Sequence, residues 1–174
     1  MSLVFDGQRD EVVPPHTKEV FDPATFGLVV NWLIAEIRDA GYQAVAASGH
    51  SGLVPAAAVS FALGVPLLAV RKEDERPKGD SRMVNGILPH GPVRYALIDD
   101  FVASGETVNR VHKYVQRAFP QAVMAGLLTY GVHPDSADYM RNNIERFCVW
   151  AEEGQPATEL ARGLRIHTRP RKDS

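Results

Sequence analysis

The sequence predicts an α/β domain: a mostly parallel central sheet flanked by helices. Three observations predict it. The strand candidates at 65–70 (VPLLAV) and 122–130 (AVMAGLLTY) are apolar runs without alternation, as expected for strands covered on both faces. Helical patterns fall between the strands, in the order helix, strand, helix, strand, long loop, strand, helix, strand. A chain of 174 residues, 45% hydrophobic and 23% charged, has the size and balance of one globular domain.

Each element has a local cause. Residues 1–21 read as irregular, with VVPPH at 12–16 as a turn or extended piece. Asp22 and Pro23 suit the cap and first position of a helix. Phe26, Val29, Val30, Leu33, Ile34 and Ile37 then make its apolar stripe, and Gly41 ends it. YQAVAAS at 42–48 is a short strand, and GHSG at 49–52 a glycine-bounded loop. A helix is expected from about Val54 to Leu63, stopped by Gly64. The uncharged stretch from Gly52 to Val70 approaches the length of a membrane span, but Gly64 and Pro66 divide it into a helix and a buried strand. The segment 71–92 is a polar, charged loop. Strand 94–99 follows, then helix 106–118 with Val108, Val111, Val115 and Phe119 as its stripe. Beyond Gly131 the pattern loosens; FCVWA at 147–151 is a further strand candidate, and the basic tail is expected to be mobile. One domain over 1–174 is expected, with a core at about 24–130 and a tail at 156–174.

The net charge of -2 provides no global field for nucleic acid. The single cysteine, Cys148, excludes an intrachain disulfide and a cysteine-based zinc site. The N-terminus becomes charged too soon for a signal peptide, so a cytoplasmic protein with no membrane partner is expected.

The unusual residues cluster after strands, where ligands bind in parallel sheets. The most informative stretch is ALIDDFVASGET, Ala96 to Thr107. Ser104, Gly105, Glu106 and Thr107 stand at a helix start, where unpaired N–H groups and the helix dipole favour an anion such as phosphate. Asp99 and Asp100 would repel a phosphate beside them and suit sugar hydroxyls or a hydrated magnesium ion. A ribose 5-phosphate satisfies both halves. The plain alternative is a strand end followed by a helix capped by Ser104.

Tyr95 to Thr107, YALIDDFVASGET, resembles the ribose-phosphate signature of the type I phosphoribosyltransferase family: an apolar run, two acids, an apolar pair, then small-Ser/Thr-Gly-x-Thr. Glu106 replaces a residue that is usually small or variable. The stretch SGHSGLVPAAAVSFALGVPLLAVRK, Ser48 to Lys72, is similar to the family's pyrophosphate loop and the helix and strand after it, although the usual loop arginine is absent and His50 stands nearby. The resemblance covers roughly residues 42–130. It implies the family fold with a small variable hood, here from 1–23 and 131–155. It also implies magnesium-dependent transfer of ribose 5-phosphate from phosphoribosyl diphosphate to a nucleobase nitrogen, of orotate or purine type, with release of pyrophosphate, in a homodimer.

The residues carried over are these. Ala103, Ser104, Gly105, Glu106 and Thr107 would hold the 5-phosphate. Ser48, Gly49, His50, Ser51, Gly52, Arg71 and Lys72 would meet pyrophosphate. Asp99, Asp100 and Lys72 would be the catalytic set, with the acids reaching magnesium indirectly or through the ribose. Arg76, Lys78 and Arg82 are further candidates to close over pyrophosphate, against the alternative of a solvated charged loop. Tyr130 and His133 are candidates to read the base, with Trp150 a stacking candidate; each is otherwise a packed aromatic or a surface histidine. A catalytically weak, nucleotide-binding regulator of the same fold is the alternative function. A receiver-type signalling domain would want its acid pair after the first strand, and a P-loop is excluded by the missing G-x-x-x-x-G-K-[ST].

Overall fold

A computed structural model describes residues 18–75, 82–131 and 164–169. Helices α1 (Lys18–Phe21) and α2 (Pro23–Ala40) lead into strand β1 (Ala44–Ser48) and helix α3 (Gly49–Leu63). Strands β2 (Leu67–Val70), β3 (Val84–Asn85) and β4 (Val93–Asp99) follow, then helix α4 (Glu106–Ala118) and strands β5 (Ala122–Thr129) and β6 (Arg165–Thr168). A short 3-10 turn, Glu73–Glu75, follows β2.

The caps form as expected. The Asp22 carboxylate accepts from the Thr25 N–H at 3.0 Å and from its hydroxyl at 2.9 Å, with Pro23 opening α2. Gly41 closes α2 in the left-handed region at φ 66°. Val29, Leu33 and Ile37 are the buried stripe of that helix.

The six strands lie in the order β3-β2-β1-β4-β5-β6, all parallel except β3, which pairs antiparallel with β2. Alternation along the strands divides the core in two. Ala44, Ala46, Tyr95 and Leu97 pack with Val108, Val111 and Val115 of α4. Val45, Ala47, Ala96 and Ile98 pack on the other face with α2 and with Ala56 and Val59 of α3. The chain leaves β1 toward β2 on one side and returns to β4 on the other. A crevice therefore opens at the carboxyl ends of β1 and β4, the position where such sheets bind ligands.

Four details depart from the sequence reading. Residues 18–21 are helical. GHSG at 49–52 is the opening of α3 rather than a loop, so that helix starts before Val54. Two residues of the charged loop, Val84 and Asn85, form the edge strand β3. The tail holds β6, whose Gly126↔Arg165 to Thr129↔Thr168 pairing extends the sheet beyond β5. Its sequence, RIHT, is too short and polar to signal a strand, and tertiary contacts decide it. Leu164 is buried just before it, and His167 donates to or accepts from two partners, Glu36 at Nδ1 (2.6 Å) and Tyr42 at Nε2 (3.0 Å). Tyr42 lies against Gly126, where any side chain would collide with its ring. The strand candidate FCVWA with Cys148 and Trp150, most of the expected hood, and Arg76, Lys78 and His133 lie outside the described residues. Among the described residues no helix is long and apolar enough to cross a membrane.

Candidate active site

A cleft of about 770 Å³ opens at that sheet edge. This is the size of a small-molecule site. It collects Ser48, Gly49, His50 and Ser51 from the β1–α3 junction, Lys72 from the end of β2, Asp99 and Asp100 from β4, and the whole run 101–107 into α4. Every predicted 5-phosphate residue is there, as are both acids and Lys72.

The β1–α3 junction is built for close backbone approach. Gly49 has φ +74°, and a Cβ on it would stand 3.3 Å from Cε and 3.6 Å from Nζ of Lys72. The Lys72 ammonium therefore lies against the Gly49 backbone. A Cβ on Gly52 would stand 2.6 Å from the Ile98 carbonyl oxygen, so α3 starts in contact with the strand that carries the acids. The Ser48 hydroxyl is buried without a hydrogen-bond partner at the cleft wall. A buried polar group of this kind is costly unless a ligand or water engages it.

Asp99 is buried, and its Oδ1 accepts the Asp100 N–H at 3.0 Å and the Ser51 hydroxyl at 3.5 Å. Burial, then the neighbouring Asp100 carboxylate, push the Asp99 carboxyl well above the usual carboxylate range. Asp100 is half-buried and its Oδ1 accepts the Phe101 N–H at 2.9 Å. Two adjacent carboxyls with one desolvated favour a ligand that shares a proton, donates hydrogen bonds or adds positive charge.

At the other side of the cleft, Gly105 caps α4 with φ 89°. Ser104 is one residue ahead of the cap, and its hydroxyl oxygen accepts the Glu106 N–H at 3.2 Å. The Thr107 hydroxyl oxygen accepts from Arg110 Nη2 at 3.3 Å. Because both hydroxyls accept from the chain, each keeps its own proton to donate to an anion.

Some expected residues stand away from the cleft. Gly52 and Arg71 do not line the cleft: Gly52 is packed on Ile98, and the Arg71 backbone N–H is tied to the Met83 carbonyl at 2.9 Å beside β3. Arg82 is exposed and does not line it either. Tyr130 is fully buried in the α2–α3 side of the core, with its hydroxyl donated to the Ser51 carbonyl at 2.7 Å, and so presents no face to a base. The sequence reading missed Arg110, Lys113 and Tyr114 of α4, and Glu73 and Asp74 after β2, which complete the lining. Arg110 bonds Glu106 at 3.3 Å and so offsets the charge of the one acid within the 103–107 segment. The Tyr114 hydroxyl donates to Glu73 at 3.1 Å, tying α4 to the segment after β2. Arg110, Lys113 and Tyr114 recur at three- and four-residue spacing, the one signal that they share a helix face.

Solved structures with the same fold include phosphoribosyltransferases. Adenine phosphoribosyltransferase from Thermoanaerobacter pseudethanolicus superposes with a TM-score of 0.58 at 16% identity, over 88% of this chain and 83% of that one. Orotate phosphoribosyltransferase from Mycobacterium tuberculosis, solved with 5-phospho-α-D-ribosyl 1-diphosphate, gives 0.56 at 16% identity, over 87% and 75%. The fold is thus that of the phosphoribosyltransferases. Among curated proteins, adenine phosphoribosyltransferase of Pseudoalteromonas translucida is 27% identical over 121 residues, 62% of this chain and 66% of the relative. Orotate phosphoribosyltransferase of Methanosarcina acetivorans is 30% identical over 110 residues, 63% and 58% respectively. The match therefore spans less than two thirds of each relative's length. No protein-family model matches the chain. Together, relatives and fold support the type I phosphoribosyltransferase family, as the two motifs imply.

Proposed function

We propose that this chain is a magnesium-dependent phosphoribosyltransferase that moves ribose 5-phosphate from phosphoribosyl diphosphate to a ring nitrogen of an adenine- or orotate-type base. The observation that carries the reading is one cleft holding an acid pair, with Asp99 desolvated, between two anion-ready segments, with Lys72 lying against one of them. The Ser104–Thr107 turn takes the 5-phosphate on backbone N–H groups and two hydroxyl protons. Asp99 and Asp100 take the ribose diol. Ser48 to Ser51, with Lys72, take the diphosphate.

In the reaction the C1–O bond to pyrophosphate breaks, and the leaving oxygen keeps the electron pair. The base nitrogen forms the new bond to C1 and releases its proton to a base or water. These residues stabilise the departing anion, oppose the positive charge at C1 and hold the ribose. Magnesium is commonly bound through one or two carboxylates and completed by substrate phosphates. Asp99 and Asp100 are the oxygen donors at the right place, and the ion would neutralise charge on the diphosphate. The reading carries a cytosolic homodimer with it.

The test is pyrophosphate release from phosphoribosyl diphosphate and magnesium with orotate, uracil, adenine, hypoxanthine, guanine, xanthine and nicotinate. Release with one base names the acceptor. The Asp99→Asn, Asp100→Asn double variant should lose turnover while remaining folded, and undiminished turnover in it would sink the assignment. The segment 48–52 holds His50 and no arginine. This favours a nucleotide-binding regulator as the second reading if the whole panel is silent while phosphoribosyl diphosphate still binds.

A further inference from the structure

Pro55 lies inside α3 and has no N–H to give to the Ser51 carbonyl four residues earlier. In an ordinary helix that carbonyl would accept the N–H of residue 55; the proline leaves it without that donor. Here Tyr130, at the exit of β5, donates its hydroxyl to it at 2.7 Å. The Tyr130 backbone N–H donates to the Asp99 carbonyl at 3.3 Å, and the Ser51 hydroxyl lies 3.5 Å from Asp99 Oδ1. The three bonds close a ring through Tyr130, Ser51 and Asp99. Tyr130 is 0% exposed and packed among Val29, Ala47, Ala56, Ile98 and Leu128, so its hydroxyl has no solvent to turn to.

We infer that Tyr130 is a positioning residue of the cleft: its hydroxyl replaces the helical donor that Pro55 lacks and fixes the 48–51 segment against Asp99. The inference rests on the function proposed above for its ligand, but not for its geometry. A proline at this point frees a carbonyl on the first turn of α3, and the tyrosine ties that turn to β4 and β5 rather than to the next turn of its own helix. The diphosphate segment and the ribose acids are then held at one spacing by the sheet.

The pairing of a missing donor with a substitute donor provides a rescue test. Tyr130→Phe keeps the ring and removes the hydroxyl, taking from the Ser51 carbonyl the donor that stands in for the missing N–H. Pro55→Ala restores an N–H to the same carbonyl. Binding of phosphoribosyl diphosphate with magnesium is measured by calorimetry for the wild-type protein, each single variant and the double. Amide exchange over 49–54 is followed in the same four proteins.

Loss of this hydrogen bond predicts weakening by about tenfold in Tyr130→Phe. Faster exchange over 49–54 is expected with it. The double variant should return to within about twofold of Pro55→Ala alone, the sign that both groups serve one carbonyl. A tyrosine that merely fills the core would lower the melting temperature without this recovery. Binding in Tyr130→Phe equal to wild type, or a double variant no better than the single, overturns the inference. If wild-type protein fails to bind the ligand, the proposed function fails by itself. Exchange over 49–54 then decides the inference: faster in Tyr130→Phe and restored in the double upholds it, and no change refutes it.

Discussion

Two glycine-to-alanine substitutions on helices should move stability in opposite directions. Gly27 lies inside α2, one turn from its start, exposed, with nothing within 4 Å of an added Cβ. There only helix propensity acts, and alanine should add about 1 kcal/mol. Gly52 is also helical, so the same gain applies, but its Cβ would stand 2.6 Å from the Ile98 carbonyl oxygen and 3.2 Å from the Ala47 Cβ. Side-chain carbons essentially never approach closer than 3.0 Å, so at least 0.4 Å of movement is required. The obstructing atom is backbone of β4, paired on both sides by β1 and β5, and cannot swing away. Overpacking of this sort costs about 1–3 kcal/mol, and a rigid neighbour puts it at the upper end. The clash should win, leaving Gly52→Ala about 1–2 kcal/mol less stable, or roughly 2–8 °C lower in melting temperature for a domain of this size. Urea unfolding of both variants is the assay. Because Ile98 precedes Asp99, Gly52→Ala should also weaken phosphoribosyl diphosphate binding. A Gly52→Ala protein as stable as Gly27→Ala, with ligand binding intact, would refute the close contact between α3 and the acid strand.

Asp99→Asn should raise the melting temperature at pH 7. The folded Asp99 carboxyl titrates above its unfolded value, so the folded state holds its proton more tightly, and stability falls as pH rises from the ordinary carboxylate range through the raised folded value. Asparagine removes that loss while its oxygen still accepts the Asp100 N–H. The gain should vanish below the unfolded carboxylate range, and a variant less stable than wild type at pH 7 contradicts the burial argument. His167→Ala should cost about 1–3 kcal/mol in urea unfolding by leaving Glu36 and the buried Tyr42 hydroxyl without their shared partner. A loss under about 0.5 kcal/mol would show that β6 is held by its strand pairing alone. Phe61 is 92% exposed on α3, and Phe61→Ser should leave the midpoint of unfolding within about 0.5 kcal/mol. A larger loss at high protein concentration only would reveal a second copy packed there.

Much of this was legible because local rules and tertiary context agreed. Asp22, Pro23 and Gly41 bound α2 as their chemistry dictates, and the stripe Val108, Val111, Val115 faces the core. The acid pair was legible because two carboxyls at the end of an apolar strand oppose its burial and call for a ligand. Other features depend on which way a face points. Tyr130 follows a strand as a ligand contact would, yet the two-residue period gives it the same side as Leu128, toward α2 and α3 and away from the cleft. Arg110 and Lys113 read as a solvated helix face, because a helix pattern shows which side is apolar and not which polar side meets another segment. The strands β3 and β6 are too short for periodicity, and partners far along the chain create them.

The antiparallel pairing of β3 has a further consequence. Val70↔Val84 and the Arg71 N–H to the Met83 carbonyl pin both ends of the intervening stretch to one strand edge. In polymer terms it is a loop closed at its base, and doubling the length of such a loop costs only about 0.6 kcal/mol. Insertions between 75 and 82 should therefore have little effect on the sheet. A chain of this design can lengthen that stretch, or accept a grafted reporter peptide there, while its two cores and its acid pair stay as they are.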